Sequence, residues 1–159
     1  EIRDAVQTQG FDAERGIFVG SFGASELDAA LLLLPDVGFV SYDDPRMVRT
    51  TQAIAHELDD GGLVLRYRMP DGLRGAEGSF VPCTFWLAEC LARQGRMAEA
   101  KERFDRACRC ANDLGLFSEQ YSASREELLG NFPQGLTHLA HISAALALEG
   151  VLVHDGPAD

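Results

Sequence analysis

The stretch DLGLFSEQYS, residues 113 to 122, sets Glu119 and Gln120 side by side in a break between two helical patterns. A carboxylate placed there is either a solvated loop charge or a group aimed into a pocket, where it can take a proton from a reacting molecule. His138 and His141 stand three apart on one helix. That spacing would suit two metal ligands, but no third candidate accompanies them, so they read as hydrogen-bonded helix residues and no metal is expected. GSFGAS, residues 20 to 25, is glycine-rich and precedes an apolar segment. It lacks the spacing and the lysine of a phosphate cradle and reads as a pocket loop.

The elements that would hold these groups are helices of two kinds. Residues 26 to 34, 80 to 93 and 133 to 149 are apolar on most sides, which predicts helices covered all round. Between them, residues 45 to 59 carry Met47, Thr51, Ile54 and Leu58 on one stripe, with Asp44 to cap and Pro45 in the first turn. Residues 96 to 113 likewise place Met97, Ala100, Phe104, Ala107, Ala111 and Leu114 on one face against acids and arginines. The opening EIRDAVQTQG reads as the end of a helix closed by Gly10. Covered helices recur at a step of about 55 residues, as in a helical-hairpin repeat. About two and a half inner/outer hairpins are predicted, in an all-α toroid or solenoid. The connections at 10 to 25, 60 to 79 and 114 to 132 are long for such a fold, and long loops in compact domains are usually functional. All three precede an inner helix, so they are expected to gather at one end.

With 159 residues and 46% hydrophobic content, the chain has the size and apolar fraction of one domain. A net charge of −11 disfavours nucleic acid and anionic membranes as partners. The longest apolar run, ALLLLP, is too short for a bilayer span. Cys83, Cys90, Cys108 and Cys110 lie at helical positions without metal spacing and read as free thiols in a reducing, cytoplasmic setting.

Four strings in order, GFVSYDDPRMVRTTQAI, RYRMPDGLRGAEGSFVPCTFWLAECLARQGRMAEA, NDLGLFSEQY and LGNFPQGLTHLAHISAAL, resemble the C-terminal part of family 15 glycoside hydrolases, the glucoamylase and trehalase-like group. The resemblance covers almost the whole chain. It implies part of an (α/α)6 barrel, six inner and six outer helices with the active site where the loops before the inner helices meet. It also implies inverting hydrolysis of α-glucosidic bonds, an α-glucoside or oligosaccharide substrate and no cofactor. Two and a half hairpins are less than half of such a barrel. An N-terminal portion would be absent, and self-association or pairing with that portion is expected.

Inversion uses one carboxylic acid to protonate the leaving oxygen and one carboxylate to deprotonate water on the opposite face, roughly 6.5 to 9.5 Å apart. The family's base lies in a Glu-Gln pair, which here is Glu119 and Gln120, the latter binding ligand or orienting the acid. The family's general acid lies in an earlier Trp-Glu loop. Nothing matches it, because Trp86 is followed by Leu87. Glu77 reads as a pocket-lining or helix-capping residue rather than as that acid. LRYRMPDG matches the family's sugar-contacting stretch. Arg66 and Asp71 would bond glucose hydroxyls, and Tyr67 would offer an apolar face to the ring. A surface ion pair is the plain alternative for Arg66 and Asp71. Phe80 stands near an aromatic subsite position, although the Asn-Pro-Trp of fungal members is absent.

Two further readings stay open. One is a non-catalytic (α/α) module that binds sugar or a protein. The other is a tetratricopeptide-like adaptor, suggested by LARQGRMAEAKERFDRACRCANDLG, although no second copy follows at about 34 residues.

Overall fold

The computed structural model describes residues 1–68 and 78–150. Its architecture follows from one thoroughly apolar helix. VPCTFWLAECLAR, Val81–Arg93, packs residues on every side, and all of them except Trp86 and Arg93 are buried. A helix apolar all round needs neighbours all round. Naming the helices in chain order, α1 is Ile2–Gln9, α2 Pro45–Glu57, α3 this central helix, α4 Met97–Cys108 and α5 Gly135–Leu148. α4 and α5 pack directly on α3, and α2 meets it from the side of the short helical turn at Ala29–Leu33.

The outer helix α2 forms where the sequence placed its cap. Asp44 accepts from the Arg46 N–H at 2.9 Å, with Pro45 as the first residue of α2, and the stripe Met47, Thr51, Ile54 and Leu58 is buried. On α4, Ala100 and Ala107 are buried, whereas Met97 and Leu114, expected on the same face, are exposed. α4 ends at Cys108, so Leu114 falls in the loop beyond it.

The segment 26 to 34 is not the inner helix expected. Glu26 to Asp28 lie outside any helix, Asp28 with extended backbone, and only Ala29–Leu33 form a 3-10 turn. Two nonlocal bonds explain this: the Gly20 N–H donates to Glu26 O at 2.9 Å and the Ala29 N–H to Arg66 O at 2.8 Å, taking backbone groups that a helix would use internally. Asp28 caps the turn through Ala30 N–H at 2.8 Å, and Pro35 has no N–H with which to extend it. Leu32 and Ala29 are buried as an inner element requires. Burial was legible there; length was not.

Each long connection contains a small antiparallel ladder. β1 (Phe11–Asp12) pairs with β2 (Ile17–Phe18), and β3 (Asp59–Asp60) with β4 (Leu63–Val64). β5 (Ser79–Phe80), β6 (Gln120–Ser122) and β7 (Glu127–Leu129) form a three-stranded sheet. The fold is therefore helix-rich with short strands, consistent with part of an (α/α)6 toroid. Among the described residues no helix is long and apolar enough to cross a membrane. Cys83, Cys90 and Cys110 are buried free thiols and Cys108 is partly buried, and burial pushes the ionisation of each upward.

α5 departs from the all-round burial expected of an inner helix. Thr137, Ala140, Ala144 and Ala147 face the core, while Leu136, Leu139 and Ile142 stand exposed, Leu139 at 66%.

Candidate functional site

The N-terminal end of α3 is where the loops meet. Ser79 pairs with Tyr121 and Phe80 with Gln120 across β5 and β6, and the first helical N–H, that of Val81, donates to Glu119 O at 3.1 Å. This joins the loop before α3 to the loop before α5. The Ala29 N–H to Arg66 O bond ties the start of the 3-10 turn, just after the first connection, to the second. The second and third connections thus share one end of the array.

Glu119 sits on a loop clamped by the first turn of α5. Phe117 N–H donates to His138 Nε2 at 3.3 Å, Gln134 N–H to Phe117 O at 2.9 Å, and the Thr137 hydroxyl to Ser118 O at 2.9 Å. Ser118 is buried, and its hydroxyl donates to Gln120 O at 2.5 Å. On the other side, Glu119 N–H donates to Asn131 O at 2.9 Å, and Asn131 N–H donates to the Glu119 carboxylate at Oε2, 3.1 Å away. The half-buried carboxylate is held by backbone.

Gln120 has a side-chain contact across the two loops. Its Oε1 accepts from Gly78 N–H at 3.2 Å, so its side chain tethers the approach to β5. Arg66 is exposed, and its guanidinium lies 5.4 Å from the Tyr67 ring centre and 5.9 Å from that of Phe80. A cation over two ring faces is a geometry that favours electrostatic attraction. Arg66, Tyr67, Phe80, Glu119 and Gln120 are therefore brought to one end. Asp71 and Glu77 lie outside the described residues.

Several residues here had no sequence signal of their own. Asp28 caps the short turn through the Ala30 N–H at 2.8 Å, and the next residue, Ala29, bonds Arg66 O at 2.8 Å. Asp60 accepts from the Ser79 hydroxyl at 2.6 Å, fixing the strand before α3. Arg103 pairs with Asp59, and Arg106 donates to Gly61 O at 3.0 Å, so two arginines of α4 anchor the same hairpin.

The histidine pair has structural partners. His138 accepts from Phe117 as above. His141 stacks on Phe104, 5.2 Å between centres at 18°, and lies edge-on to Phe85. Burial, with a smaller contribution from His138, holds its ionisation below the usual histidine range.

Known proteins resemble this chain in sequence and in fold. The family model of glycosyl hydrolases family 15 matches residues 1–103. Trehalase from Thermoplasma volcanium is 43% identical over 154 residues, which are 96% of this chain and 25% of that protein. Trehalase from Mycobacterium tuberculosis is 43% identical over 149 residues, 92% of this chain and 22% of the relative. The chain thus spans about a quarter of the length of these curated relatives. Among solved structures, a wild-type glycosidase superposes with a TM-score of 0.79 at 23% identity, covering 95% of this chain and 43% of that one. A variant glycosidase in complex with glucose gives a TM-score of 0.77 at 25% identity, over the same shares. The relatives' alignments extend well past residue 103, where the family model stops, so the Glu119 loop falls within the shared region of the longest. On the match to residues 1–103, together with the helical array and its loop cluster, the chain belongs to glycosyl hydrolases family 15.

Proposed function

We propose that these residues form the C-terminal portion of an inverting α-glucoside hydrolase of trehalase type, supplying the general base and part of the sugar pocket. The observation that carries this reading is the Glu119 carboxylate, held by backbone at the same end of α3 as Arg66, Tyr67 and Phe80. Trehalases at 43% identity favour trehalose over a maltose-type or glucan substrate.

In this reading Glu119 removes a proton from water as the water oxygen bonds the anomeric carbon. The glycosidic bond breaks on the opposite face, and a second carboxylic acid protonates the departing oxygen. No residue of this chain is assigned as that acid. Arg66 and Asp71 bind glucose hydroxyls, Tyr67 and Phe80 line the ring's apolar face, and Glu77 lines the pocket. Gln120 acts through Gly78, shaping the pocket wall beside the base. The exposed stripe Leu136, Leu139 and Ile142 supports a partner segment packed against α5, either another part of the same polypeptide or a second copy.

Stereochemistry tests the mechanism. Trehalose joins two α-anomeric carbons, so attack with inversion at one releases one β-glucose and one α-glucose. Proton NMR in the first minutes, before mutarotation, should show the two anomers in equal amounts from the complete polypeptide that carries these residues. Early product that is wholly α would overturn inversion. Absence of turnover with retained trehalose binding would favour the non-catalytic sugar-binding module.

A further inference from the structure

The geometry assigns Gly130 as the positioning residue for Glu119, an inference that rests on the general-base reading above: its bare α-carbon is the surface on which the carboxylate is set. A β-carbon built at Gly130 would lie 2.7 Å from Glu119 Oε2, 3.0 Å from its Cβ and 3.4 Å from its Cδ. The same Oε2 accepts the N–H of Asn131, the next residue, at 3.1 Å, while Glu119 N–H donates to Asn131 O at 2.9 Å. Glu119 and the 130–131 peptide thus hold each other at both ends.

The strand register produces this contact. Gln120 pairs with Leu129 across β6 and β7, so the residues just outside that pair, Glu119 and Gly130, face each other where the ladder ends. Gly130 has φ +72°, in the left-handed region that a side chain disfavours. That turn aims the Asn131 N–H at the carboxylate. One oxygen is thereby engaged by a fixed donor, and Oε1 is left as the atom for the water's proton.

A methyl group at 130 meets the movable carboxylate oxygen at 2.7 Å and also Glu119 Cβ at 3.0 Å, so the carboxylate swings away and the base of the Glu119 side chain gives by a few tenths of an ångström. Displacement by about 1 Å is enough to cost a reaction roughly 100-fold. The base is misplaced while the sugar contacts of Arg66 and Tyr67 stay in register, so kcat falls and KM does not.

Four variants of the complete polypeptide test this with trehalose as substrate. Gly130→Ala should lower kcat about 100-fold with KM changed by less than about twofold. Gly130→Asn carries the same β-carbon but tolerates the left-handed conformation better, so it should show the same loss if the alanine variant fails to fold. Gly95→Ala is the control: Gly95 has φ +77° with no atom within 4 Å of a β-carbon, so it takes the same backbone strain and should keep kcat. In a Glu119→Gln background, Gly130→Ala should cost nothing more, because there is no base left to misplace. Normal kcat in both Gly130 variants, an equal loss in Gly95→Ala, or a further full loss in the double variant would overturn the assignment. If Glu119→Gln is inactive while both Gly130 variants work normally, the positioning role alone fails. Normal turnover by Glu119→Gln removes the general-base reading itself.

Discussion

Glu119→Gln in the complete polypeptide should lower trehalose turnover by about 10²- to 10⁴-fold, the range expected when a general base is lost. The substitution keeps the side chain's size, and the amide oxygen can still accept the Asn131 N–H that now reaches Oε2 at 3.1 Å. What it removes is the ability to take a proton from water. Because Arg66, Tyr67 and Phe80 are untouched, KM should change little, which separates a chemical defect from a binding one. On the proposed mechanism the isolated 159-residue chain should hydrolyse neither trehalose nor maltose, since none of its residues is assigned as the acid that protonates the leaving oxygen. Robust hydrolysis by that isolated chain, or near-normal kcat for the Glu119→Gln variant, would sink the mechanism.

The contrast between Glu119 and Gln120 shows how far side-chain type alone can be read. A Glu-Gln pair in a loop suggests two groups facing a ligand. The β6 register sends them to different tasks, Glu119 against the 130–131 peptide and Gln120 to Gly78 N–H. Neither contact is local in sequence. They depend on how two loops pair, and the period of apolar residues says nothing about that pairing. Helices with a strong stripe and a chemical cap were legible, as α2 shows with Asp44, Pro45 and its buried face. α3 was legible for the opposite reason, being apolar on every side. Residues 26 to 34 share that apolar character, yet backbone bonds from Gly20 and to Arg66 hold the first residues out of a helix before a short turn. α5 shows the reverse error. Its sequence is apolar all round, but Leu136, Leu139 and Ile142 stand exposed among the described residues.

Phe85→Ala should be the most damaging core substitution at this end, destabilising the protein by about 3 to 5 kcal/mol. Phe85 is fully buried at the centre of a ring cluster, 5.6 Å from Phe104, 5.3 Å from Phe117 and 5.2 Å from His141 between ring centres. Those neighbours belong to α4, to the Glu119 loop and to α5, so one cavity would loosen three elements that pack on α3. Polar backbone around the site limits collapse into the void: Phe117 is tied through its N–H to His138, and Ser118 O to Thr137. The consequences should reach function, because Phe117 stands two residues before Glu119 and is the apolar anchor of that loop. Urea unfolding of the complete polypeptide should show a lower midpoint with an unchanged slope, and kcat should fall even where the protein is fully folded. Phe22→Ala supplies the comparison. Phe22 is 54% exposed, so truncating the same side-chain type there should shift the midpoint far less. Equal shifts for the two variants would mean that the ring cluster does not organise this end of the fold, and with it the proposed anchor of Glu119 would be lost.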